Sequence, residues 1–165
     1  MIKTVEYLGD KVRMIDQTRL PLEKVFIDCK TIEDVADAIK TMVVRGAPAI
    51  GVSAAMGVSL GAESIQTDNF ESFYIQLEDK CSALAKSRPT AVNLAWGIER
   101  MKRVARESKS LSIPKLKEKL KQESLDICKE DIESNMAMGS FGQTLIDDGS
   151  TILTHCNAGA LATAG

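Results

Sequence analysis

Apolar and polar positions alternate at the start of the chain and then settle into longer periods. Val5 and Tyr7, then Val12 and Met14, alternate with polar neighbours around Gly9-Asp10, which predicts a hairpin over residues 4–8 and 11–16. Pro21 breaks the pattern, and Val25-Phe26-Ile27 predicts a third strand. From Thr31 the period lengthens. Val35, Ala38, Ile39 and Met42 fall on one helical face, Thr31-Ile-Glu-Asp34 forms a capping box, and the helix should end near Val43-Val44. The run from Ala47 to Leu60 is apolar and rich in Ala and Gly, which predicts a buried helix started by Pro48 and reaching about Ile65.

Asp68 or Asn69 caps a further helix through Phe70, Phe73, Leu77 and Leu84. Pro89 is expected to start the next, with Val92, Leu94, Trp96, Ile98, Met101 and Val104, and Trp96 reads as core. Pro114 opens a long amphipathic helix toward Ile146, weakened late by Gly139 and Gly142. After Asp147-Asp148-Gly149, the run Thr151–Thr154 predicts a short strand leading into small residues that can open a helix.

The fold class that follows is α/β. Residues 1–147 form an antiparallel ribbon of three strands plus a helical bundle, and residues 148–165 begin a second domain. A lone strand makes no parallel sheet, so the chain is expected to be the front part of a longer protein.

Composition removes several classes. With 21 basic and 23 acidic residues the net charge is −2, which gives no electrostatic case for nucleic acid, a partner that needs a basic face. The Ala47–Leu60 run falls short of the roughly 20 residues that span a bilayer, and no apolar signal region opens the chain. Cys29, Cys81, Cys128 and Cys156 stand far apart, without CxxC or zinc spacing, so no metal site is expected. Free thiols fit a cytoplasmic location.

Three stretches carry candidate chemistry. Arg45-Gly46-Ala47 precedes Pro48, where helix amides favour an anion and Gly46 permits close approach. Arg88 precedes Pro89 in the same way. The alternative for both is an ordinary interhelical turn. Cys156 stands at the edge of the last strand, with Asn157 and Gly159 just beyond. It reads either as an acid–base or nucleophilic thiol or as a small buried hydrophobe. His155, the only histidine, points away from Cys156 on an extended strand and is expected to pack under the loop.

Val44-Arg-Gly-Ala-Pro-Ala-Ile-Gly51, Ser87-Arg-Pro-Thr-Ala-Val-Asn-Leu94 and Thr154-His-Cys-Asn-Ala-Gly-Ala-Leu-Ala-Thr163 together resemble the methylthioribose-1-phosphate isomerases of methionine salvage. Their wider superfamily includes ribose-1,5-bisphosphate isomerases and regulatory subunits of a translation-initiation exchange factor. The resemblance implies a Rossmann-like second domain, a homodimer, and cofactor-free conversion of an aldose phosphate to a ketose phosphate. It implies substrate contacts at Arg45, Gly46, Ala47 and Arg88, and catalysis by Cys156 with an aspartate beyond Gly165. The 165-residue piece alone is accordingly expected to be inactive.

Three other readings stay open or are set aside. A non-catalytic regulator shares the scaffold, but is expected to lack the His155-Cys156-Asn157 motif. An isomerase of a related pentose phosphate, such as 5-deoxyribose 1-phosphate or ribose 1,5-bisphosphate, differs only in what it accepts at C5. A dinucleotide oxidoreductase is disfavoured because Gly159 and Gly165 make no GxGxxG fingerprint.

Overall fold

A computed structural model describes residues 3–165. Strands β1 (Val5–Tyr7), β2 (Val12–Ile15) and β3 (Phe26–Cys29) form one antiparallel sheet in the order β1-β2-β3. The Gly9-Asp10 turn closes through Leu8 N–H donating to the Lys11 carbonyl at 2.8 Å, and Gly9 takes the positive φ (+93°) that such a two-residue loop needs. Val5 lies opposite Met14, and Val12 opposite Cys29, so the alternating apolar set faces the core. On the other face Arg13 stands between Glu6 and Asp28. Asp28 accepts from Arg13 Nε at 2.7 Å and from Lys11 Nζ at 2.6 Å, and these bonds hold its carboxyl well below the usual range.

Helix α1 (Ile32–Lys40) starts in the capping box that its sequence specifies. Asp34 N–H donates to Thr31 Oγ1 and Thr31 N–H to Asp34 Oδ2, each at 3.0 Å. It ends before Val43-Val44 because Met42 adopts φ +65°. Val43 N–H then donates to the Ala38 carbonyl and Met42 N–H to that of Ile39, the paired bonds of a Schellman stop usually built on glycine.

Helix α2 (Ala47–Glu63) is the axis of the molecule. Every residue from Ala49 to Ala62 is buried, as expected for a helix apolar all round. Around it pack α1, α3 (Phe70–Ala85), α4 (Val92–Glu107), α5 (Ile113–Gly142) and the sheet. Its small residues set the spacing. A Cβ on Gly97 of α4 would lie 2.6 Å from the Gly51 carbonyl oxygen, and one on Gly57 would lie 2.9 Å from Val35 Cγ1.

Asn69 caps α3 by accepting from Ser72 N–H at 2.9 Å. Helix α4 begins at Val92 and not at Pro89. Ala91 N–H donates to the Arg88 carbonyl at 3.0 Å, so Pro89 fills the second position of a β-turn, a place it suits as well as a helix start. Along α5, Ile113, Leu116, Leu120, Ser124 and Ile127 face the core, while most of the last three turns are exposed. Arg100 of α4 ties α5 down through Glu123 (2.6 Å) and Glu130 (2.7 Å). The same guanidinium lies 5.6 Å from the ring centre of Trp96, which is 48% exposed and not core.

Short 3₁₀ turns occupy Gln143–Leu145 and Ala160–Ala162. The strand expected over Thr151–Thr154 is not formed: this stretch is exposed and has no strand to pair with among the described residues.

Candidate functional site

Gly46 is the N-cap of α2, with ordinary extended φ and ψ (−77° and 141°), so its backbone does not require glycine. Its surroundings do. A Cβ there would lie 2.1 Å from the Ala162 Cα and 2.2 Å from the Ala162 carbonyl oxygen. Backbone therefore packs directly on backbone, and the start of α2 meets the end of the Thr154–Thr163 stretch. No side chain caps this end of α2, and no acidic residue stands in its first turn. Its free amides and partial positive charge thus remain uncompensated. Arg45 and Ala47 beside it are exposed.

The tail is held at three further points. Thr4 Oγ1 donates to the Ala160 carbonyl at 2.6 Å, and Gln17 Nε2 donates to the Leu161 carbonyl at 2.7 Å. Asp131 Oδ2 of α5 accepts from Ala164 N–H at 2.7 Å. Ala162 and Ala164 are buried as a result. None of these three anchors was legible as a site residue. Thr4 and Gln17 flank short strands, and Asp131 sits in a charged stretch of a long helix. The one signal for Thr4 and Gln17 was a polar residue next to a buried strand end.

Cys156, Asn157 and Gly159 are exposed, and so is His155, which is not packed under the loop. Cys156 has φ +64°, a left-handed conformation that is uncommon for a residue with a Cβ. Strain of this kind is seen at functional turns when surrounding structure enforces it. Gly159, at φ +87°, lets the chain reverse into the Ala160–Ala162 turn.

Arg88 is half-buried. Its Nη1 is inaccessible to solvent and, with Ser87 Oγ, has no hydrogen-bond partner among the described residues. A buried guanidinium N–H without an acceptor is costly, which suits a group whose acceptor is an anionic ligand. Arg88 nevertheless does not head a helix as Arg45 nearly does, so the expected symmetry of two arginines at two helix starts is lost.

A cavity of about 400 Å³ opens between the start of α2 (Pro48, Val52), α4 (Asn93, Trp96) and α5 (Ile127, Glu130, Asp131, Ser134). A second of about 400 Å³ lies between β1 and α5, against Ala164. Neither these nor two further cavities are lined by Arg45, Arg88 or Cys156. The structure joins Gly46 to the tail, but it does not gather the two arginines and the cysteine around one of these cavities. Among the described residues no group of three or more His, Cys, Asp or Glu side chains is placed to hold a metal ion. Among the described residues no helix is long and apolar enough to cross a membrane.

Residues 43–164 match the Initiation factor 2 subunit family, and the chain belongs to that family. Among its relatives, the methylthioribose-1-phosphate isomerase of Geobacter sulfurreducens is 56% identical, and that of Citrifermentans bemidjiense 53%. Each match covers 99% of this chain and 47% of the relative. The solved 5-methylthioribose 1-phosphate isomerase of Pyrococcus horikoshii OT3 superposes with TM-score 0.92 at 42% identity, over 99% of this chain and 46% of that one. The translation initiation factor eIF-2B subunit delta from A. fulgidus superposes at 0.87 and 38% identity, over 99% and 47%. The chain thus spans about half the length of the curated relatives it matches.

Proposed function

We propose that the protein carrying this chain is an aldose–ketose isomerase that converts 5-methylthioribose 1-phosphate to 5-methylthioribulose 1-phosphate without a cofactor. The observation that carries the reading is the contact of Gly46 with Ala162, which sets the Arg45-Gly46-Ala47 turn against a residue six positions beyond Cys156. The identity to proteins named for this reaction supports it, and that identity exceeds the 38% shared with the initiation-factor subunit.

In this reading Arg45, Arg88 and the α2 amides bind the phosphate, and Gly46 and Ala47 let it approach the backbone. The anomeric oxygen carries that phosphate, so the ring cannot open by simple hemiacetal loss. An acid must protonate the ring oxygen. Hydrogen then moves from C2 to C1, either as a proton through an enolate or as a hydride. Cys156 acts at the C1–C2 region, with Asn157 and Gly159 shaping the turn, and an aspartate outside these residues serves the ring oxygen and O2. Residues 1–147 form the first domain in this reading and 148–165 the opening of the second. A cytoplasmic homodimer belongs to the same reading.

The test mixes the whole protein that carries these residues with 5-methylthioribose 1-phosphate and follows the ketose by NMR, with Cys156→Ala in parallel. Turnover by the parent and none by the variant supports the assignment. Saturable binding without turnover replaces it with a non-catalytic sugar-phosphate-binding subunit. Turnover of a 5-deoxy or 5-phospho pentose in preference would move the substrate and keep the reaction.

A further inference from the structure

Thr4 and Gln17 are polar, yet they are 0% and 4% exposed. Buried polar groups of this kind persist when their hydrogen bonds are made, and both side chains donate to carbonyls of one short segment, Ala160 and Leu161. Gln17 makes a second link. Its backbone N–H donates to the Val43 carbonyl at 3.0 Å, two residues before Arg45. One residue thus ties the arginine turn and the tail to the same strand end. Asp131 supplies the opposing hold, from α5, on Ala164. The segment from Ala160 to Ala164 is therefore gripped from the sheet on one side and from α5 on the other, while Gly46 sets its depth.

We propose that Thr4, Gln17 and Asp131 are positioning residues for the isomerase reaction: they fix the distance between the arginine turn and Cys156 and do not themselves meet substrate. The proposal rests on the isomerase reading. Cys156 lies only three residues before Gly159, where the gripped segment turns, so loosening the grip moves the thiol and leaves Arg45 and Arg88 where they were. Misplacement by a fraction of a bond length at the reacting centre lowers the chemical step more than it lowers binding.

The experiment uses the whole protein with Thr4→Val, Gln17→Leu and Asp131→Ala, beside the conservative Thr4→Ser and Asp131→Asn, which keep a donor and an acceptor. Amide exchange of peptides over residues 157–165 is read together with kcat and KM, and peptides from α2 report the fold. The disruptive variants should speed exchange of the segment about tenfold while α2 stays protected. Their kcat should fall about tenfold or more with KM within about threefold, and the conservative variants should restore both readouts. Should Thr4→Val also expose α2, Asp131→Ala at its half-exposed position decides. Unchanged exchange, or a kcat loss that Thr4→Ser and Asp131→Asn do not restore, overturns the proposal. Absence of turnover in the parent protein sinks the isomerase reading, and with it any role of the grip in that reaction. A loosened segment in the variants would then still show the grip to be real.

Discussion

Gly46 and Ala162 touch main chain to main chain, although more than two-thirds of the sequence separates them. A side chain on Gly46 would sit inside the van der Waals envelope of Ala162. Because the obstacle is backbone and not a flexible side-chain tip, no rotamer change relieves it. Gly46→Ala should therefore expel the 160–164 segment from its seat and lower stability by about 1–3 kcal/mol, the usual range for overpacking. Urea unfolding measures the loss, and faster amide exchange confined to the segment locates it.

The crossing of α2 and α4 makes a second glycine test. Gly97→Ala drives a methyl to 2.6 Å from the Gly51 carbonyl oxygen and should cost about 1–3 kcal/mol by pushing the helices apart. Gly139→Ala on α5 meets nothing within 4 Å, and should gain about 0.5–1 kcal/mol from helix propensity alone. Opposite signs in the two denaturation midpoints are the expected result.

Arg88 separates binding from folding. Its Nη1 is buried without an acceptor, so Arg88→Met removes an unpaired charged donor and should leave the melting temperature unchanged or higher. The same change should weaken sugar-phosphate binding about tenfold or more, the loss of one charge-assisted hydrogen bond. Titration calorimetry with the whole protein reads the second effect, and a thermal scan reads the first.

Alkaline conditions should act through Cys81. Burial pushes its thiol up to about 12, whereas an exposed thiol ionises near ~8.5. The folded state keeps a proton that the unfolded state releases, so this contribution is whole below about pH 8.5 and is lost as pH climbs toward 12. Melting temperatures from pH 8 to 11 should fall less steeply for Cys81→Ala than for the parent.

Much of the architecture could be read from residue order because it is set locally. Thr31 and Asp34 specify a cap whatever surrounds them, and Asn69 does the same. The alternation at Val5, Tyr7, Val12 and Met14 fixes which face is buried. The errors came where two local solutions compete or where a distant partner decides. Pro89 fits both a helix start and a turn, and Met42 stops α1 in a conformation normally left to glycine. Trp96 lies outside the core because Arg100, drawn to Glu123 and Glu130, offers its ring a surface partner. Of the candidate site, Arg45-Gly46-Ala47 and Cys156 were visible as motifs. Gln17 was not, since its importance lies in two acceptors remote in sequence.

The bond from Thr4 to Ala160 bears on the order in which the molecule assembles. The sheet and α1 join neighbours in sequence and can form early during synthesis. The Thr4 hydroxyl has to wait for a carbonyl 156 residues later. Closing so long a loop adds an entropic toll of only about 0.6 kcal/mol for each doubling of length, but nothing repays it until the segment carrying Ala160 leaves the ribosome. Until then the nascent chain has its sheet and α1 in place and the contact of Gly46 with Ala162 unmade. A chaperone or protease meeting it then would find Gly46 still uncovered.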